Sequence, residues 1–166
     1  MKIGILSDTH NDIMMLRRAL GKLKSRGITL VLHAGDLTSP EMISVFEGFE
    51  TRFVLGNCDI DHSAIISSCK CSGFSPATRY CEFELEGKKF FIIHGDDMRR
   101  YLEAVDSRKY DYIIIGHTHE FMTRHKHNTL VINPGAVTRD ALTNVGQTCA
   151  VLDVQTGEVE KISLAH

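Results

Sequence analysis

Five apolar runs in this chain end in the same kind of way, and that repetition narrows the folds open to it. "KIGIL" leads into Ser7-Asp8-Thr9-His10 and "TLVL" into His33-Ala34-Gly35-Asp36. "RFVL" leads into Gly56-Asn57-Cys58-Asp59, "KFFII" into His94-Gly95-Asp96, and "YIII" into Gly116-His117-Thr118-His119. Short unbroken runs of aliphatic and β-branched residues are the pattern of strands buried on both faces. Packing alone gives no reason for Asp, Asn or His just past every one of them.

The segments between the first three runs read as helices. Asp12 to Arg26 carries Ile13, Leu16, Ala19, Leu20 and Leu23 at near-helical spacing, with Asn11 or Asp12 as cap and Gly27 at its end. Ser39-Pro40-Glu41 opens a second helix, serine capping and proline in the first turn. With strands at Lys2 to Leu6, Thr29 to Leu32 and Arg52 to Leu55, this is a β-α-β-α-β order, which implies a parallel sheet covered by helices. Asp61 to Thr78 reads as a short helix and a loop. Beyond Tyr80 the pattern turns to hairpins, at Glu86-Gly87, His127-Asn128 and Thr156-Gly157. A helix from Met98 to Ser107 and a buried strand from Tyr112 to Ile115 interrupt them. The expected architecture is two packed sheets with helices on the outer faces. At 166 residues the chain suits one domain, 1–166.

Carboxyl ends of parallel strands share one edge of a sheet, and ligands bind there. The five termini would therefore gather Asp8, His10, Asp36, Asn57, His94, His117 and His119 along one rim. Carboxylates suit hard divalent ions and imidazoles suit first-row transition metals. Seven donors exceed one tetrahedral site and suit two six-coordinate ions sharing a carboxylate. Any one of these residues is equally well explained by packing or capping; seven at strand ends are not, because buried carboxylates and imidazoles without a partner are costly to desolvate. Gly35, Gly56, Gly95 and Gly116 stand beside the candidates, where a strand must turn sharply. His33 is expected to brace the Asp36 loop. Asp96 and Asp97 read as caps of the helix after them, and His125, His127 and His166 as solvated.

Composition excludes other classes. Charge is −2 with no broad basic face, which argues against a stable nucleic-acid complex, and no run reaches membrane length. "MKIGILSD" reaches a charge too early for a signal peptide, and five cysteines (Cys58, Cys69, Cys71, Cys81, Cys149) follow no disulfide framework. Together these point to a reducing cytoplasm. Cys69-Lys70-Cys71 lacks the second pair of a zinc site, so ordinary thiols are the better reading.

Asp8-x-His10, Gly35-Asp36, Gly56-Asn57-Cys58-Asp59, His94-Gly95 and Gly116-His117-x-His119, in that order, resemble the motif set of the calcineurin-like metallophosphoesterases. The short length, "GNCD" and "NPGA" (Asn133 to Ala136) resemble its small YfcE-type phosphodiesterase branch, to which the retromer subunit Vps29 is related. The resemblance spans Lys2 to about Asp153. It implies an α/β fold, a four-layer αββα sandwich of two mixed sheets, and two divalent ions. Asp8, His10, Asp36 and His119 would take one ion, and Asp36, Asn57, His94 and His117 the other, with Asp36 bridging. Manganese is expected, with nickel, cobalt, iron, zinc or magnesium as substitutes. The implied reaction is in-line attack on phosphorus by hydroxide held between ions about 3.5–4 Å apart.

The implied catalytic set is Asp36, Asn57, Cys58, Asp59 and His62. Many superfamily members carry histidine where this chain has Cys58, a weak donor. Asp59 is expected to orient a neighbour and His62 to stand in for the missing imidazole. Asn133 to Ala136 is expected near the site as a turn, and Arg139 as a phosphate contact. The substrate would be a small phosphodiester, with nucleotide-derived esters among the candidates. The alternatives are a Vps29-like protein-interaction scaffold, a phosphomonoesterase, and a structural metal-binding protein. Exposed hairpin edges suit a homodimer or homotetramer.

Overall fold

The computed structural model describes residues 1–139 and 146–165. His166 lies outside them. The elements are β1 (Lys2–Leu6), α1 (Ile13–Lys24), β2 (Leu30–His33), α2 (Glu41–Ser44), β3 (Glu50–Phe53), α3 (His62–Cys71), β4 (Tyr80–Leu85), β5 (Lys88–Ile93), α4 (Met98–Asp106), β6 (Tyr112–Ile114), β7 (Phe121–Lys126), β8 (Thr129–Pro134), β9 (Thr148–Asp153) and β10 (Val159–Ser163). They form two five-stranded mixed sheets, β10-β9-β1-β2-β3 and β4-β5-β6-β8-β7. β1, β2 and β3 run parallel in the first; β5, β6 and β8 run parallel in the second.

Strand alternation sorts the apolar side chains into three layers. Ile3, Ile5, Leu30 and Leu32 from one sheet meet Phe90, Ile92, Tyr112, Ile114, Leu130 and Ile132 from the other. Leu6 and Val31 face outward onto Leu16, Leu20 and Leu23 of α1, with Met42, Ile43 and Ile65 of α2 and α3. Phe91, Ile93, Ile113 and Val131 face outward onto Ala104 and Val105 of α4. The central strands are covered on both faces, which is why they read as unbroken apolar runs, while β4, β7 and β10 leave residues exposed. Gly4 lets α1 lie close: a Cβ there would come within 2.6 Å of Leu23 Cδ1.

Local chemistry explains the element ends. Asp12, Asp61 and Asp97 cap α1, α3 and α4, accepting from the backbone N–H three residues on. The second helix departs from expectation. It spans only Glu41–Ser44, Pro40 occupies the cap position without a side-chain bond, and Ser39 Oγ instead donates to Asn11 Oδ1 at 2.8 Å. That serine ties the β2 exit to the β1 exit rather than closing a helix. Asp96 does not cap α4 either; it pairs with Arg79. Strand β3 begins two residues earlier than the apolar run suggests, and Val54 forms a single parallel bridge with Thr78. All five cysteines are free, and no cluster of metal-binding side chains among the described residues includes Cys69 or Cys71. Among the described residues no helix is long and apolar enough to cross a membrane.

Candidate metal centre

The exits of β1, β2, β3, β5 and β6 converge at one end of the two-sheet core. Backbone bonds splice them: Asp8 N donates to Gly35 O, His10 N to Asp36 O, and Gly116 N to His94 O, all at 2.8–3.0 Å. Asp8 (φ 53°), His10 (41°), Asn11 (62°), Asp36 (59°), Thr38 (72°), His117 (69°) and His119 (61°) adopt left-handed backbone. Seven of the eleven such non-glycine residues described thus lie in these loops. Each such residue costs of order 1–3 kcal/mol, and strain of this kind concentrates where function demands a geometry.

Each carboxylate is anchored on one oxygen and presents the other. Asp8 Oδ2 accepts from His117 N at 3.1 Å, while Oδ1 faces His119 Nε2 at 3.3 Å, His10 Nε2 at 3.7 Å and His94 Nε2 at 3.9 Å. Asp36 Oδ1 accepts from Cys58 N at 2.8 Å, while Oδ2 faces His94 Nε2 at 3.2 Å and His10 Nε2 at 3.8 Å. His94 Nδ1 donates to Ala34 O at 2.8 Å, which fixes the ring and turns Nε2 toward the two carboxylates. His10 and His119 bring their Nε2 atoms within 3.2 Å of each other.

Two atoms decide what this arrangement suits. Asp8 Oδ1 and His94 Nε2 are buried and have no hydrogen-bond partner. Orphaned buried polar atoms are rare because they are expensive. Here they belong to side chains that fall into two overlapping donor groups, Asp8-His10-His119 and Asp8-Asp36-His94. A carboxylate–imidazole set of this kind fits divalent transition ions.

The electrostatics agree. Burial works to raise the pKa of Asp8, but the neighbouring His119 imidazole and the nearby charge of His94 outweigh it and leave it below the usual range. Asp36 is likewise held low: burial is overcome by His94 and by the bonds from Cys58. Burial also disfavours charge on His94, yet Asp36 and Asp8 raise its pKa. His33 is buried so completely that its pKa falls to about 3, against only partial compensation from Asp8 and Asp36. It is a neutral brace, as expected. Its Nδ1 accepts from Gly35 N and its Nε2 meets Thr9 Oγ1, each at 3.3 Å, so it links the β1 and β2 exits.

The other expected residues divide. Asn57 and His117 lie exposed at the rim; Asn57 Nδ2 points to Cys58 Sγ at 3.4 Å, and the His117 ring meets His94 edge-on with centroids 5.2 Å apart. Cys58 joins a third donor group with His10 and Asp36. Burial, then the Asp36 carboxylate, pushes its thiol up to about 11, so it stays protonated. His62 is a correction. Capping by Asp61 starts α3 at this residue and leaves it exposed, with no side-chain hydrogen bond, ion pair or ring contact to any described residue. Asp59 is another. It is fully buried and accepts three backbone amides, from Asp36 (2.9 Å), Thr38 (2.6 Å) and Gly56 (2.7 Å). It holds the β2 and β3 exits together instead of facing substrate. Asn133 Nδ2 donates to Gly116 O and Thr118 Oγ1, so the "NPGA" turn steadies the histidine loop. Arg139 is exposed and pairs by backbone with Gly146. Two of the glycines beside the donors do not serve a sharp turn. Gly56 and Gly116 have ordinary backbone angles, and what they supply is space. A Cβ on Gly56 would lie 2.0 Å from Asp36 Oδ1, and one on Gly116 1.9 Å from Ser7 Oγ.

Comparison with known proteins completes the picture. Residues 1–157 match the family described as the calcineurin-like phosphoesterase superfamily domain. The chain belongs to that superfamily. It is 32% identical over 167 residues to phosphodiesterase MJ0936 of Methanocaldococcus jannaschii, covering 99% of each chain. A solved archaeal phosphodiesterase superposes with a TM-score of 0.87 at 32% identity, covering 98% of this chain and 99% of that one. More distant structures share the fold: YfcE from E. coli (TM-score 0.69, 16% identity, 99% of this chain and all of that one) and zinc-complexed Vps29 from Entamoeba histolytica (0.66, 17%, 99% and all). The metallophosphoesterase fold and phosphoesterase family read from the strand-end motifs are therefore confirmed.

Proposed function

We propose that this chain is a phosphodiesterase working with two divalent ions, manganese foremost, on a small phosphodiester in a reducing cytoplasm. The observation that carries this is the pair of orphaned buried atoms, Asp8 Oδ1 and His94 Nε2, within a converging donor set at the strand exits. The full-length likeness to an archaeal phosphodiesterase supports the diester class. Asp8, His10, Asp36 and His119 would hold one ion; Asp36, Asn57, His94 and His117 the other. Asp36 suits the bridge because its Oδ2 faces both His10 Nε2 (3.8 Å) and His94 Nε2 (3.2 Å).

When bound, such ions supply a nucleophilic water near neutral pH and neutralise charge on the phosphate oxygens. The protein's own contribution is order. Backbone amides fix one oxygen of each aspartate, so the other is aimed before any ligand arrives. His33 and Asp59 lock the loops, which limits reorganisation during the reaction. The exposed rim carries His117, Asn57 and the neutral Cys58 thiol, so substrate enters from that side. Cys58 stands where many superfamily members carry histidine, and exposed His62 has no contact that would hold it as a replacement, so protonation of the leaving group would be weak. Activated diesters should therefore turn over best.

The test is hydrolysis of bis(p-nitrophenyl) phosphate beside p-nitrophenyl phosphate, using protein stripped of metal and resupplied with manganese. Manganese-dependent diester turnover that Asp36→Asn and His117→Ala both abolish is the expected result. A folded protein without turnover with any divalent ion would refute the reading.

A further inference from the structure

Residues 78–80 are where the chain passes from the edge of one sheet to the edge of the other. Val54, just past β3, bridges Thr78, and Leu55 N donates to Thr78 O at 2.8 Å. Tyr80 then opens β4 opposite Ile93 of β5. Arg79 sits at this splice. Its Nη1 donates to Leu55 O at 3.1 Å and its Nη2 to Asp96 Oδ2. Leu55 stands two residues before Asn57, and Asp96 two residues after His94. Both backbone polar groups of Leu55 are therefore held by residues 78 and 79.

We propose that Arg79, anchored by Asp96, is a positioning residue that sets the spacing of the β3 and β5 exits and so the affinity of the ion shared by Asn57 and His94. The inference rests on the two-ion reading above. Three observations carry it. Asp96 is free for this pairing because Asp97, not Asp96, caps α4. The planar guanidinium reaches two acceptors in different directions, one on each exit, which a lysine ammonium on its flexible stem does not hold rigidly. No bond from Arg79 reaches the β1 and β6 exits, which carry Asp8, His10 and His119. The expected effect is therefore asymmetric between the two ions. An arginine that merely stabilised the fold would not discriminate between them.

The experiment titrates the metal-stripped full-length chain with Mn²⁺ by calorimetry, with the metal content counted separately, for wild type, Arg79→Ala, Arg79→Lys and Asp96→Asn. Arg99→Ala, on an exposed arginine of α4, is the control. Wild type should take two ions. Arg79→Ala should keep one at wild-type affinity and weaken the other by about tenfold, the low end of what losing a group bonded to a ligand itself costs, because Arg79 acts two residues away from Asn57 and His94. Arg79→Lys and Asp96→Asn should weaken the same ion to a smaller extent, and they carry the test if Arg79→Ala fails to fold. Unchanged affinities, or equal losses at both ions, would overturn the role of Arg79 while leaving the two-ion reading intact. A wild type that holds fewer than two ions would overturn both.

Discussion

Substituting Gly56 by alanine should damage chemistry far more than fold. The backbone at Gly56 permits alanine, so the whole effect comes from space. The new Cβ would lie 2.0 Å from Asp36 Oδ1, 2.7 Å from Asp36 N and 2.8 Å from Asp36 Cγ. Real Cβ contacts stay beyond 3.0 Å, so the carboxylate must withdraw by about 1 Å. It cannot swing aside freely, because Cys58 N holds that same oxygen at 2.8 Å. Overpacking of this kind costs about 1–3 kcal/mol. For a chain of this size that is a fall of roughly 3–9 °C in Tm. A displacement of about 1 Å in a group that orders the reacting centre lowers the rate by roughly a hundredfold. The assay is kcat/KM on bis(p-nitrophenyl) phosphate with manganese, beside a thermal melt. Gly21→Ala is the control: nothing lies within 4 Å of its Cβ in α1, and it should add about 0.5–1 kcal/mol of stability with activity unchanged. A Gly56→Ala enzyme with wild-type kcat/KM would refute the claim that Asp36 must stay where the structure puts it.

Other outcomes follow from the same geometry. Asp59→Ala leaves three backbone amides without their acceptor and should destabilise by more than about 3 kcal/mol, read by urea unfolding; a loss under 1 kcal/mol, on the scale of a single exposed contact, contradicts its splicing role. His33, with its pKa depressed to about 3 in the fold, binds a proton more readily when unfolded. Its contribution is therefore complete above about pH 6.5 and is lost as pH falls, at up to about 1.4 kcal/mol per pH unit. Non-titrating His33→Gln should flatten the stability-versus-pH slope of metal-free protein between pH 6.5 and 4.5, and an unchanged slope would show that His33 is not the group responsible. Cys58→His should speed alkyl diesters more than p-nitrophenyl esters; equal effects on both would mean that leaving-group protonation is not what limits the enzyme.

What the sequence discloses here is period and punctuation. Unbroken apolar runs report strands covered on both faces, and Asp or Gly at run ends reports caps and turns, so most elements and the donor set were legible. Contacts made across the chain were not. Asp59 reads as a residue that orients a neighbour, but nothing beside it in sequence shows that it accepts the amides of residues 36 and 38, more than twenty residues away, as well as that of residue 56. Arg79 has no motif around it, and only the crossing from β3 to β4 gives it two acceptors. His62 looked available by spacing alone, until the Asp61 cap turned it to solvent. Ser39 before proline has the signature of a cap, yet a tertiary partner, Asn11, outcompeted the local bond. For Asp59, Arg79 and Ser39 the deciding partner lies far away in sequence, and sequence patterns report only near neighbours.

Anomalous diffraction at the manganese edge from crystals soaked in Mn²⁺ tests the two-ion site most directly. Two peaks per chain are expected, one against Asp8 Oδ1, His10 and His119 and one against His94, both touching Asp36. A single peak, or peaks away from these strand exits, would contradict it.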